Sequence, residues 1–75
     1  MPKVNVPRTV LDGLEAVRRS GLTNMLDRPV VAQLASEFGF EEAARWVEDH
    51  RDEFAQGIFR GFEVEEATRR MHDGR

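Results

Sequence analysis

Apolar residues recur at helical spacing in four stretches of this chain, and two of them meet at Phe38-Gly39-Phe40. Residues 30–47, VVAQLASEFGFEEAARWV, read as two amphipathic helices joined at a glycine corner, and the flanking segments are placed to cover their apolar face. The first half of this unit carries Val30, Val31, Leu34, Ala35 and Phe38 on one stripe, with Asp27 as expected cap and Pro29 in the first turn. Gly39 ends it. The second half opens with Glu41 and Glu42, which suit the positive end of a helix dipole, and buries Ala43, Trp46 and Val47, with Ala44 and His50 at the margins.

Upstream, Pro7 suits a first helical turn, and Thr9 with Asp12 offers a capping box as an alternative start. Val10, Leu11, Leu14 and Val17 then fall at i, i+1, i+4 and i+7, and Ser20-Gly21 closes the helix. Gly13 inside it costs about 1 kcal/mol against Ala, which a close backbone contact would explain. The linker LTNML at 22–26 is apolar at three of five positions, so Leu22, Met25 and Leu26 are expected to fold back onto the core. Downstream, the apolar phase changes near Arg51-Asp52, with Asp52 the expected cap of a fourth helix that carries Phe54, Ile58 and Phe62 at i, i+4 and i+8. Gly57 and Gly61 weaken that helix and would let another backbone approach.

No segment reads as a strand. The expectation is an all-α fold, a compact bundle of four short helices, with the last able to run on into the tail. Residues 1–6 would be an extended arm, 7–63 the helical domain, and 64–75 a partly helical or frayed tail. The expected core is Val10, Leu14, Val17, Met25, Val31, Leu34, Phe38, Phe40, Trp46, Val47, Phe54 and Ile58.

Size and charge narrow the picture. Seventy-five residues make one small domain. A domain this short buries only about 60% of its unfolded surface, which leaves it marginal or reliant on a partner. Net charge is −3, divided unevenly: residues 1–40 carry five basic and four acidic groups, residues 41–75 six and ten. The acidic second half argues against nucleic acid there. The absence of cysteine excludes disulfides, thiolate metal sites and a cysteine nucleophile, and fits a reducing cytoplasm. No apolar run approaches the ~20 residues of a membrane span, so no membrane role is expected.

Candidate chemistry is sparse. His50 has Glu48, Asp49, Asp52 and Glu53 near it, but the other histidine, His72, lies in the tail, and a boundary histidine on an apolar edge accounts for the pattern. Ser20, Thr9, Thr23 and Ser36 have no paired base in sequence. No catalytic residue, cofactor or metal is expected, and an enzyme is not. The glycine corner invites comparison with a helix-turn-helix, since Ala35 and Gly39 sit four apart among Leu34, Phe38 and Phe40. The later apolar positions of that motif fall on Arg45 and Glu48, and the would-be reading helix is acidic at both ends.

The Phe38-Gly39-Phe40 loop, with Leu34, Ala44 and Val47 around it, resembles the loop of ubiquitin-associated-like three-helix modules, which implies partner binding through that loop and the last helix. A broader resemblance rests on VP-x-x-V-L-x-G (6–13), EAVR-x-SG-x-TNM-x-DR (15–28), LA-x-x-x-GF (34–40), WVE (46–48) and GIF-x-GFE (57–63). Together these are similar to a family of short uncharacterised proteins of bacteriophages and prophages. That likeness assigns no residue a role. It implies a small accessory protein made in the host cytoplasm and acting on a host protein.

The leading expectation is a non-enzymatic protein-binding or dimerising module whose contacts are Phe59, Gly61 and Phe62. Phe54, Ile58, Phe59 and Phe62 span a sector of roughly 140° on a helix, wide enough that either a small core wraps it or Phe59 stays exposed to dock. The alternative is a small nucleic-acid-binding regulator contacting phosphate through Arg8, Arg18, Arg19 and Arg28.

Overall fold

A computed structural model of the chain describes residues 2–65. Four helices, α1 (Arg8–Ser20), α2 (Arg28–Glu37), α3 (Glu41–Asp49) and α4 (Arg51–Arg60), are flanked by two short strands, β1 (Val4–Val6) and β2 (Phe62–Val64). The strands pair in parallel, Val4 opposite Phe62 and Val6 opposite Val64, and so tie the two ends of the helical unit together. The α2–α3 corner makes the most extensive helix contact and packs across α1.

The helix periodicity of α1 holds as read: Val10, Gly13, Leu14 and Val17 are its buried residues. The helix starts at Arg8, with Pro7 as N-cap and its carbonyl accepting from the N–H groups of Val10 and Leu11. Thr9 therefore lies inside the helix, and its hydroxyl donates to Glu42 Oε1 at 2.6 Å instead of capping. Gly21 ends the helix in the left-handed region at φ 67°. A β-carbon on Gly13 would overlap Ala43 and the Phe40 side chain, so this glycine is what lets α1 and α3 touch.

The corner forms where the glycine predicts. Gly39 takes φ 93°, and the Phe40 N–H reaches back to the Ala35 carbonyl at 2.8 Å. Phe38, expected in the core, is instead 39% exposed. The buried residues of α2 are Val31, Ala32 and Ala35. That stripe is rotated from the expected one by roughly three-quarters of a residue's ~100° turn, toward Ala32. The close alanine packing with Ala43 and Ala44 of α3 leaves Phe38 at the rim.

His50 closes α3 and opens α4, so the break lies one residue before the expected one and Asp52 sits in the first turn of α4 instead of capping it. Asp27 stands at the N-cap of α2 as expected, but makes no side-chain capping bond.

The larger corrections concern the ends. Residues 4–6 are extended as expected, but they pack into the fold: Val6 is completely buried and belongs to the core with Val10, Leu14, Val17, Val47 and Phe54. Phe62 is not on α4. The helix stops at Arg60, Gly61 at φ 100° redirects the chain, and Phe62 opens β2. The tail from residue 66 lies outside the described residues.

Candidate docking face

Sequence spacing put Phe59 and Phe62 in one helical sector, with Gly61 as a third expected contact. The end of α4 at Arg60 separates them. Phe59 projects outward and is 80% exposed, the most exposed large apolar side chain among the described residues. Phe62 turns inward from β2. Its ring lies edge-on to Trp46 with centroids 6.1 Å apart, tilted against Phe54 at the same distance, and it covers Gly57. Gly61 is the hinge between helix and strand, with the Lys3 side chain beside it.

An apolar groove of about 350 Å³ runs beside this hinge, between α1, the linker and the end of α4. Leu11 and Leu14 form one wall, Met25 the end, and Ile58 and Phe62 the other wall. Glu15 and Arg18 stand on its rim and pair with each other at 2.7 Å. That pair is largely exposed and contributes little to stability. Ile58 also lines a second, more polar hollow with Leu26, Ala55, Arg28 and Asp52. Phe59 follows Ala55 of that second hollow by one helical turn and itself lines neither hollow.

The linker contributes more to this face than its sequence suggested. Only Met25 folds in. Leu22 and Leu26, expected to cover the core, are 66% and 59% exposed. Asn24 is the cause: its side-chain oxygen takes the Leu26 N–H at 2.8 Å, and its carbonyl takes the Asp27 N–H at 2.9 Å. This Asx-type turn holds Leu26 outward and Met25 inward. The signal was present as N-x-L-D, but it is a turn signal and not a periodicity.

The candidate chemistry at His50 is occupied by packing. Its ring stacks nearly parallel on Trp46 with centroids 4.7 Å apart, and Nδ1 lies 3.0 Å from the Trp46 carbonyl. Among the described residues no group of three or more His, Asp or Glu side chains gathers as a metal-binding set. Nor is any described helix long and apolar enough to cross a membrane. Of the arginines proposed to meet phosphate, Arg18 is engaged by Glu15, and Arg8 lies 4.0 Å from Asp12.

Comparison with known proteins adds one match. A domain of unknown function, DUF5049, matches residues 7–62. The chain belongs to that family. The match takes in α1 to α4 and ends at Phe62, so it includes every residue lining the apolar groove, whereas β1 and Val64 lie outside it. The expected kinship with an uncharacterised family holds in this form. No curated protein and no solved structure matches.

Proposed function

We propose that this member of the DUF5049 family is a non-enzymatic protein-binding module that docks a partner protein on the face formed by α4, the linker and the groove beside them. The observation that carries the reading is Phe59, four-fifths exposed on the helix whose adjacent residue, Ile58, lines the apolar groove. A side chain of that size gains nothing from water and gains about 2 kcal/mol or more when a partner covers it. An aromatic anchor next to a preformed apolar groove is the usual form of an interface hot spot.

The resemblance of the sequence motifs to phage and prophage proteins supports a wider setting for this reading: an accessory protein made in the host cytoplasm and acting on a host protein. Self-association is the competing occupant of the same face. The test is affinity capture from host lysate together with light scattering on the purified chain, comparing Phe59→Ala and Phe59→Glu with the parent. The reading expects both variants to keep the parent circular dichroism spectrum and to lose the captured protein. Variants that stay folded and retain every partner and the parent mass would sink it.

The exposure of Phe38 favours a second reading, docking through the glycine corner as in ubiquitin-associated-like modules. Phe38→Ala separates the two, since it leaves α4 and the groove untouched.

A further inference from the structure

Among the described residues both strands of the sheet have an unpaired outer edge, and that of β2 is the more open. In a parallel ladder each bonded residue bridges the two neighbours of its partner. The Val4 N–H donates to the Gly61 carbonyl at 2.9 Å, and the Glu65 N–H donates to the Val6 carbonyl at 2.9 Å. With Asn5 opposite Glu63, the backbone groups of Val4 and Val6 face β2, which answers through Gly61, Glu63 and Glu65. The N–H and C=O groups of Phe62 and Val64 therefore point away from β1. They have no hydrogen-bond partner among the described residues.

The outer edge of β1 offers less. Asn5 is its one outward residue, and Pro7 two positions on has no N–H and gives its carbonyl to Val10 and Leu11. The apolar groove lies on the β2 side: Gly61 and Phe62 line it, and no residue of β1 does. Of the two outer edges, the one with more backbone groups unpaired among the described residues is thus the one with an apolar trough beside it.

We infer that the outer edge of β2 receives an extended segment of another protein as a third strand, and that this segment alternates apolar with basic residues. The inference rests on the protein-binding reading above and names the partner's chemistry. Main-chain bonds to Phe62 and Val64 supply the register, as in strand addition generally. The faces of β2 set the alternation. Phe62 and Val64 are half-buried on the core side, while Glu63 and Glu65 are exposed on the other. Every second residue of the added strand lies beside Phe62, Val64 and the groove, and those between lie beside two carboxylates. Lys3 offsets this charge from the β1 side, across from Gly61, and leaves the β2 edge acidic. Opposite charges across a strand pair stabilise it and like charges oppose it. The same rule argues against a second copy. Any antiparallel β2–β2 pairing that keeps the apolar faces together sets positions 61, 63 and 65 against one another, with Glu63 or Glu65 facing a glutamate or Gly61.

The test is amide hydrogen exchange by NMR on the full chain, with a short blocked peptide alternating valine and lysine as probe. Exchange at Phe62 and Val64 should slow by about tenfold or more on saturation, and Glu63 and Glu65, already bonded to β1, should not respond. A peptide N-methylated at alternate positions to remove its edge-bonding donors should fail to bind. A valine–glutamate peptide should bind about tenfold more weakly, and Glu63→Lys should reverse that preference. Equal binding of the N-methylated peptide, or protection at neither Phe62 nor Val64, overturns strand addition. Protection of both amides that rises with protein concentration in the absence of peptide overturns the choice of partner in favour of a second copy. If the peptide fails while Phe59→Ala still abolishes capture of a partner, strand addition falls and the docking reading stands. If Phe59→Ala also loses nothing, both fall.

Discussion

The ring of Phe62 lies where a β-carbon on residue 57 would stand, so Gly57 is the seat of an aromatic side chain that arrives from the next element. In an exposed helix, Gly→Ala stabilises by about 1 kcal/mol. Here the sign should reverse. Gly57→Ala must push the Phe62 ring out from between Trp46 and Phe54, which stand with it at 6.1 Å. The expected loss is about 1–2 kcal/mol in urea unfolding, with a change in Trp46 fluorescence, because the far end of the ring can swing. Combining it with Phe62→Leu should recover part of the loss. A stabilised Gly57→Ala protein would mean that Phe62 does not pack there.

Gly13 offers the harder case. A methyl at this position meets the β-carbons of Ala43 and Phe40, which are fixed to the α3 backbone and its N-terminal turn and cannot swing. Relief requires α1 and α3 to separate. Gly13→Ala should therefore cost more than Gly57→Ala, about 3 kcal/mol, and should lower the unfolding midpoint without changing the helical signal. Gly39→Ala gives the control of a different kind. Nothing lies within 4 Å of an added β-carbon there, and only the φ of 93° is strained, at about 1 kcal/mol. The predicted order is Gly13 worst, then Gly57, then Gly39. Equal losses at all three would say that helix propensity and backbone strain, and not contact, set the cost.

Much of this architecture was legible because helices write long periodic signals. Val10, Leu14 and Val17 recur over a full heptad, and the glycines at 21 and 39 sit where a left-handed residue is needed. The strands were not legible for the converse reason. V-N-V and F-E-V do alternate, but three residues are too few to establish a period, and their pairing joins opposite ends of the domain. Phe62 was misread for a related cause: it falls eight after Phe54, and only Gly61 at φ 100° shows that the helical count has stopped. Of the candidate site, Phe59 was visible as the edge of a wide apolar sector, which left both burial and exposure open. The groove was not, since Leu11, Met25 and Ile58 are brought together by the Asn24 turn and the sheet, neither of which is a periodic feature.

The rotation of α2 yields a contrast between two phenylalanines and an alanine. Phe38→Ala and Phe59→Ala should each change stability by no more than about 0.5 kcal/mol, as exposed substitutions do. Ala32 is 2% exposed and occupies the place in the stripe that periodicity assigned elsewhere. Ala32→Leu should cost about 2 kcal/mol or more by overpacking the α2–α3 contact. Thermal unfolding of the three variants checks this. A Phe38→Ala loss as large as that of a core residue would return the stripe to its expected phase.

The decisive prediction for the fold concerns Val6, because an all-helical reading makes residues 4–6 dispensable. Val6 is fully buried, its carbonyl holds the Glu65 N–H at 2.9 Å, and its strand lies against α4. Val6→Ala removes two buried methyl groups and leaves a gap among Val10, Phe54 and their neighbours, worth about 2 kcal/mol. Asn5→Ala, on the exposed face of the same strand, should cost less than about 0.5 kcal/mol. Deleting residues 1–6 should do more than Val6→Ala. It also takes the hydrogen-bonding partner from Gly61, Glu63 and Glu65, and with it the restraint that holds Phe62 over Gly57. The truncated chain should then show faster amide exchange at Glu63 and Glu65 and a loosened Trp46 environment, while α1 to α3 keep their helical content. A truncated chain as stable as the parent would mean that the sheet is incidental and that the four helices carry the domain alone.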